Sequence, residues 1–223
     1  MNWRRYVARA MKVFQGFEDL PHFIRPAVTV GSFDGVHRGH RALIGRLVAE
    51  ARAVGGESVV LTFEPHPRIT LGRAEGLRLL TTFEEKVALL AELGVDNVIV
   101  IPFDRAFSAL SGREFVERCL IGRVGAETLV AGYNHRFGHD GVACDAPEVA
   151  SRLRVVRVGP CTVDGVRVSS TVIRRLLEAG DRATAEHLAG HPLSDSRFVP
   201  EPSGQAGEGS EGSKGCGACQ TES

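Results

Sequence analysis

The strongest constraint on this chain is an alternation. Short, almost continuously apolar runs are separated by longer segments whose apolar residues recur at helical spacing. "AVTVGS" (27–32), "SVVLTF" (58–63), "NVIVIPF" (97–103) and "TLVAGY" (128–133) are too short for helices and apolar on both sides. Such runs read as strands buried on both faces, the pattern of a parallel sheet. Between them, "HRALIGRLVAEARAVG" (40–55) places Leu43, Ile44, Leu47, Val48 and Ala51 on one helical stripe and stops at Gly55-Gly56. "TTFEEKVALLAELG" opens with a capping box, Thr82 with Glu85, and closes on Gly94. "SGREFVERCLIGRVG" opens with a second box, Ser111 with Glu114, and is expected to be one helix. "RLRVVRVG" and "VDGVRVSS" add extended segments around an Asp164-Gly165 turn, and "TVIRRLLEAG" and "RATAEHLAG" close the unit as helices near residue 190. Strand–helix alternation of this kind specifies an α/β fold, a mostly parallel sheet with helices on both faces. No internal repeat is present.

In such sheets ligands bind beyond the carboxyl ends of the strands, so the loops that follow strands carry the chemistry. Four of them stand out: "GSFDGVHRGH" (31–40), "EPHPR" (64–68), "NHRFGHD" (134–140) and "SSTVIRR" (169–175). Turn-making explains Gly31, Gly35 and the prolines, but not the histidines and arginines gathered in the same places. Gly39 and His40 fall where a helix begins, and unpaired backbone N–H groups there attract anions. His37 and His40, three apart, share a helical face and can reach one phosphate, while Gly35 and Gly39 allow close backbone approach. Imidazole donors there would stabilise charge on a bridging oxygen and on a departing pyrophosphate. Zinc is the rival reading of His-x-x-His, but no third ligand clusters nearby in the sequence. Ser169, Ser170 and Thr171 open another helix, with Arg174 a turn later. Taken alone, Ser170 reads as an N-cap. Paired with the histidine loop, the segment reads as a second phosphate cradle.

"GSFDGVHRGH" resembles the adenylyltransferase signature of prokaryotic FAD synthetases. "TFEPHP" (62–67), "AGYNHRFGHD" (131–140) and "VSSTVIR" (168–174) resemble that family's further motifs, in the same order, over residues 11 to 190. The resemblance implies a Rossmann-like nucleotidyltransferase fold and the reaction ATP + FMN → FAD + pyrophosphate, with magnesium carried mainly by the ATP phosphates. It assigns His37, His40 and Asn134 to catalysis, Asn134 standing near the nucleotide and metal. Gly31, Ser32, Phe33, Asp34, Gly35 and Gly39 are implied on the ATP side, with Asp34 also organising the loop. Ser169, Ser170, Thr171 and Arg174 are implied at the β- and γ-phosphates, and Phe63, His66, Pro67, Arg68 and Phe137 at FMN. His135 and Arg136 are left open between structural and functional roles.

The remaining sequence sets the bounds. The 27 basic and 27 acidic residues balance and give no sign of a nucleic-acid partner. No run of 18 apolar residues appears, so no membrane helix is expected. Five cysteines without a disulfide framework suit a reducing cytoplasm. Residues 1–10 read as an extension ahead of a start at Met11, and 191–223 as a disordered Gly/Ser/Glu-rich tail ending in the Cys216–Cys219 pair. No Gly-x-Pro-Thr-Ala-Asn stretch of a riboflavin kinase is present, so the expectation is FAD from FMN, without FMN from riboflavin. The alternatives are a non-catalytic flavin- or nucleotide-binding paralogue and a nucleotidyltransferase with another acceptor. Oligomeric state is not specified by the sequence.

Overall fold

The computed structural model describes residues 11–73 and 77–194, so the extension at 1–10 and the Cys216/Cys219 segment lie outside the described residues. The chain begins with strand β1 (Lys12–Gln15) and β2 (Ala27–Val30), then helix α1 (Arg38–Ala53), β3 (Ser58–Glu64), the short α2 (Pro67–Thr70) and α3 (Phe83–Glu92). Next come β4 (Asn97–Pro102), α4 (Arg105–Ser108), α5 (Gly112–Glu114) and β5 (Thr128–Gly132), followed by a hairpin of β6 (Arg136–Phe137) and β7 (Val142–Ala143). After α6 (Pro147–Ala150) and β8 (Arg154–Val158), a second hairpin of β9 (Thr162–Val163) and β10 (Val166–Arg167) leads into α7 (Ser170–Glu178) and α8 (Arg182–Ala189).

Six strands form one sheet in the order β1-β4-β3-β2-β5-β8, and every neighbouring pair is parallel. The strand runs of the sequence are all present. β2 is shorter than "AVTVGS" suggested: it stops at Val30 and releases Gly31 onward as loop. Side-chain alternation splits each central strand between two cores. Val28, Val30, Val59, Leu61, Ile99, Ile101 and Leu129 face one way, against Phe115, Val116, Cys119, Leu120 and Val149. Ala27, Val60, Val98, Val100 and Val130 face the other, against Ile44, Leu47, Val48 and Ala51 of α1 and Leu90 of α3. A third cluster joins Ile173 of α7 and Ala185, Leu188 and Ala189 of α8 to Leu80, Val168 and Leu193.

Both capping boxes form as the sequence indicated, Thr82 with Glu85 and Ser111 with Glu114. The second does not open a single α-helix. After one turn the segment Phe115–Ile121 winds as a π-helix that buries Phe115, Val116, Cys119 and Leu120 on the sheet. The edge strand β1 has an exposed, weakly apolar pattern, which hid it from a reading based on buried runs. Packing also continues past residue 190, where the tail was expected to begin. Leu193 is 3% exposed and its backbone N–H donates to Glu186 Oε1 at 3.1 Å, because the third core needs one more apolar side chain.

The order of strands positions the site. From β2 the chain crosses through α1 to β3 on one side, while β5 lies on the other side of β2, so the strand order reverses there. At such a switch point the loops diverge and leave a crevice at the carboxyl ends.

Candidate active site

The loop after β2 is the centre of that crevice. His37 is the N-cap of α1: its Nδ1 accepts from the backbone N–H of His40 at 3.3 Å. An accepting Nδ1 places the proton of a neutral His37 on Nε2. The His37 and His40 rings stack with centroids 3.7 Å apart, and Phe33 meets His40 edge-on at 5.3 Å. Burial holds His37 at a pKa of about 4, helped by the charges of Arg174 and His191. Burial also lowers His40 well below the ordinary imidazole value, with the charges of His37 and Lys86 adding to it. Both imidazoles are therefore neutral hydrogen-bond donors at pH 7. His40 Nδ1 is buried without a partner, so its hydrogen-bonding capacity is directed through Nε2.

The loop is held by groups far away in the sequence. Asp34 Oδ1 accepts from the Leu80 backbone N–H at 2.8 Å, and the Gly35 N–H donates to Thr81 Oγ1 at 3.1 Å. The Gly35 carbonyl lies 2.8 Å from His191 Nε2. Arg174 forms an ion pair with Asp34 and donates through Nε to the Arg78 carbonyl at 2.6 Å. Ser169, not Ser170, is the N-cap of α7, accepting from the Val172 N–H at 3.2 Å. The chain turns into the helix one residue earlier than the cap reading assumed. Ser170, in the first turn, instead donates to the Asp34 carbonyl at 3.0 Å. Asp34 thus joins the starts of α1, α3 and α7.

A cavity of about 580 Å³ opens over these elements, lined by the ends of β3, β2, β5 and β8. Of the residues singled out from the sequence, Gly31, Ser32, Phe33, His37, Gly39, His40, Phe63, His66, Pro67, Asn134, Ser169, Ser170 and Thr171 line it. Asp34, Gly35, Arg68 and Arg174 do not. Asp34, Gly35 and Arg174 build the wall behind it, and Arg68 turns its Nε to the Arg73 carbonyl at 3.1 Å. No Asp or Glu lines this cavity. Among the described residues no group of three His, Cys, Asp or Glu side chains is placed to hold a metal ion.

Phe137 lies in an adjoining cavity of about 390 Å³ with Phe103, Phe107, Leu110, Phe115, Arg136 and His139. Val30, Phe63 and His135 line both cavities, so the two meet at those side chains. The aromatic wall is a chain of edge contacts: Phe63 to Phe103 at 5.3 Å, Phe103 to Phe107 at 5.7 Å and Phe107 to Phe115 at 5.8 Å. His135 packs edge-on to Phe137 at 4.6 Å and burial holds its pKa at about 4, which keeps it neutral at the junction.

Several site residues gave no signal in the sequence. Lys86, one turn into α3, is buried, and its ammonium lies 4.0 Å from Glu64 Oε2. Burial lowers its pKa, while Glu64 and Asp34 oppose the shift, and its charge in turn depresses His40 and His66. Tyr133, Val158, Gly159, Pro160, Cys161 and Arg167 complete the β5–β8 side of the larger cavity. A rule that inspects the two residues after each strand end would have found Tyr133, Gly159 and Pro160.

The fold is shared with a crystal structure described as a macrolide-efflux protein from Streptococcus pneumoniae. That match has a TM-score of 0.73 and 26% identity, and covers 82% of this chain and 61% of that one. The bifunctional riboflavin kinase/FMN adenylyltransferase of Escherichia coli K12 is 34% identical over 195 residues, 85% of this chain and 62% of the relative. The Listeria monocytogenes protein of the same description is 36% identical over 180 residues, 79% of this chain and 57% of the relative. The chain thus spans about three fifths of the length of these relatives. The profile of the FAD synthetase family matches residues 21–172, a span that holds all four motif loops up to the first turn of α7. With most of its length inside that match, the chain belongs to the FAD synthetase family.

Proposed function

We propose that these 223 residues catalyse transfer of AMP from ATP to FMN, giving FAD and pyrophosphate. The observation that carries this reading is the pair of joined cavities. One is lined by histidines, serines and a threonine, free of carboxylates and built on two helix starts; the other is walled by phenylalanines. The first suits a triphosphate, since backbone N–H groups and neutral imidazole donors face it with no competing acid. The second suits a planar, largely apolar ring system stacked against aromatic edges.

In this reaction a phosphate oxygen of FMN attacks the α-phosphorus of ATP. A new P–O bond forms, the bond from the α-phosphorus to the α–β bridging oxygen breaks, and pyrophosphate leaves with that electron pair. No covalent enzyme intermediate is required, so the protein's contribution is positioning and charge stabilisation. His37 and His40 donate from Nε2 to phosphate oxygens on which charge develops. Burial keeps both imidazoles neutral, and a neutral imidazole still has one N–H to donate. Thr171 and the first N–H groups of α7 hold the terminal phosphates, and Arg174 acts through Asp34 by fixing the loop. Phe63 and Phe137 hold the flavin, with His66 and Pro67 near its phosphate. Magnesium enters as part of the substrate, MgATP. The donors here are hydroxyls, imidazoles and an amide, and Asn134 Oδ1 is the side-chain oxygen suited to a hard cation on the phosphates. The same reading puts the reaction in the cytoplasm, in keeping with three unpaired cysteines among the described residues.

The test is purified protein with magnesium and ATP, given FMN or riboflavin in separate reactions, with flavins resolved by chromatography. FAD from FMN and none of either product from riboflavin supports the proposal. Protein that binds ATP or FMN but forms no FAD defeats it in favour of a binding paralogue, or of another acceptor if AMP transfer to a different phosphate ester is seen.

A further inference from the structure

One peptide of the histidine loop has a conformation that its own residues disfavour, and a side chain from the far end of the fold holds it. Val36, a β-branched residue, stands at φ 30°, directly after Gly35 at φ 80°. Side chains of that kind are rarely found at positive φ. Rotating the Gly35–Val36 peptide by half a turn would return Val36 to negative φ, and glycine at 35 tolerates the change in its own ψ. Two hydrogen bonds oppose that rotation. The Val36 N–H donates to the Phe33 carbonyl at 3.1 Å, within the loop. The Gly35 carbonyl lies 2.8 Å from His191 Nε2, across 156 positions of sequence. No backbone N–H among the described residues donates to that carbonyl.

His191 is itself firmly placed. It follows Gly190, the left-handed cap of α8, and lies two residues before Leu193, which packs into the third core. The Leu193 N–H donates to Glu186 and its carbonyl accepts from Arg182, so the segment is tied back to α8. The other ring nitrogen, Nδ1, lies 2.7 Å from the Pro192 carbonyl. Carbonyls only accept, and a neutral imidazole has one N–H for the two of them. Burial decides where it goes. Pro192 is exposed and its carbonyl can take water instead, whereas Gly35 is buried and a bond unmade there has no replacement. We propose that His191 is a positioning residue, whose Nε2–H latches the Gly35–Val36 peptide and so sets the histidine loop for the nucleotide. The residue after that peptide is His37, the N-cap of α1, so the peptide's orientation fixes where His37 and His40 meet the cavity. The consequence for turnover rests on the AMP-transfer reading above; the latch itself does not.

The experiment compares His191→Gln and His191→Asn with wild type. The Gln amide nitrogen is as many bonds from Cα as Nε2 and can donate to Gly35. The Asn amide nitrogen matches Nδ1 and serves only Pro192. Both side chains are polar and suit a half-buried position, and far-UV dichroism checks the fold. The first readout is steady-state FAD formation. In His191→Asn, kcat should fall about tenfold with the KM for FMN within about twofold of wild type, and His191→Gln should keep kcat within about threefold. The second is the His37 imidazole resonance followed by NMR between about pH 8 and pH 6, assigned by its absence in His37→Asn. Burial holds His37 at about 4, so the resonance should stay still in wild type and His191→Gln. In His191→Asn the released ring should titrate nearer the ordinary 6.5. Equal kcat in wild type and His191→Asn would overturn the proposal. So would a His191→Gln protein as slow as His191→Asn, since the ring and not its donated bond would then matter. Slow turnover in His191→Asn with a still His37 resonance would also overturn it, by placing the effect away from the loop. Wild type that makes no FAD would sink the proposed reaction and leave the latch to the resonance alone. Movement in His191→Asn but not in His191→Gln would then support the latch, and any other pattern would overturn it.

Discussion

Acid sensitivity follows directly from the way His37 is built in. Its pKa is about 4 in the folded protein against an ordinary 6.5, with burial the main cause and the charges of Arg174 and His191 adding to it. Above pH 6.5 both folded and unfolded states hold it neutral. As the pH falls below 6.5, the unfolded chain takes up a proton that the folded protein refuses, so stability is lost between pH 6.5 and about 4 and then levels off. Linkage for one such group gives a loss of about 2 kcal/mol on going from pH 7 to pH 5. His37→Asn removes that titration while leaving a residue that caps helices well, so α1 keeps its start. Urea unfolding followed by far-UV dichroism at several pH values should give a wild-type stability curve that falls more steeply from pH 7 to 5. The variant's curve should be flatter by about 2 kcal/mol over that range. His40, His66 and His135, whose pKa values burial also lowers, remain in the variant and account for the fall that persists. Parallel curves for the two proteins would refute the reasoning, because they would mean His37 titrates alike in both states.

Other outcomes are expected at the two cavities and their frame. His40→Ala should reduce kcat for FAD formation about 10²–10³-fold, as loss of an oxyanion donor does, with an unchanged far-UV spectrum. Phe63→Ala, at the junction of the cavities, should raise the KM for FMN by at least tenfold, about 1.4 kcal/mol, with a smaller change for ATP, read from initial rates with each substrate varied. Gly138→Ala should cost several kcal/mol or prevent folding, measured as a fall in Tm. The residue has φ +69°, and an added Cβ would lie 2.0 Å from the Gly112 nitrogen and 2.4 Å from the Ser111 carbonyl carbon.

What could be read from the sequence was whatever is local. The central strands declared themselves because burial on both faces demands unbroken apolar runs. Thr82 with Glu85 and Ser111 with Glu114 marked helix starts because a capping box is a four-residue device. The histidine loop was legible for the same reason: glycine, histidine and a helix start stand side by side. What escaped depends on residues far apart in the chain. The pairing of Arg174 with Asp34, 140 positions away, has no signature in either segment. The aromatic cavity gathers Phe63, the neighbouring Phe103 and Phe107, Phe115 and Phe137 from stretches up to 74 positions apart, and no single spacing rule links them. Lys86 reads as an ordinary helical lysine unless one knows that Glu64 and His40 lie opposite.

The same long-range contacts explain how the nucleotide loop can hold a conformation its sequence would not choose. Phe33 and Val36 both sit at positive φ, 49° and 30°, where side chains beyond glycine are disfavoured by about 1–3 kcal/mol each. Their side chains are fully buried in the core under α1, so burial pulls the loop into this shape while α3 and α7 clamp it from outside. The clamp most open to a clean test is Thr81, buried, whose Oγ1 accepts the Gly35 N–H. Thr81→Val keeps the volume and leaves that N–H without a partner, a loss of about 1–3 kcal/mol. Some of the loss will appear as a lower Tm. If the loop instead relaxes toward ordinary φ, the rest will appear as a fall in kcat/KM for ATP, about tenfold for each 1.4 kcal/mol. Thr81→Ser retains the acceptor and should stay close to wild type in kcat/KM. A Thr81→Val protein that matches Thr81→Ser in both Tm and kcat/KM would show that burial of Phe33 and Val36 holds the loop unaided. The external clamp would then be a consequence of the fold and not a device that sets the histidines for the nucleotide.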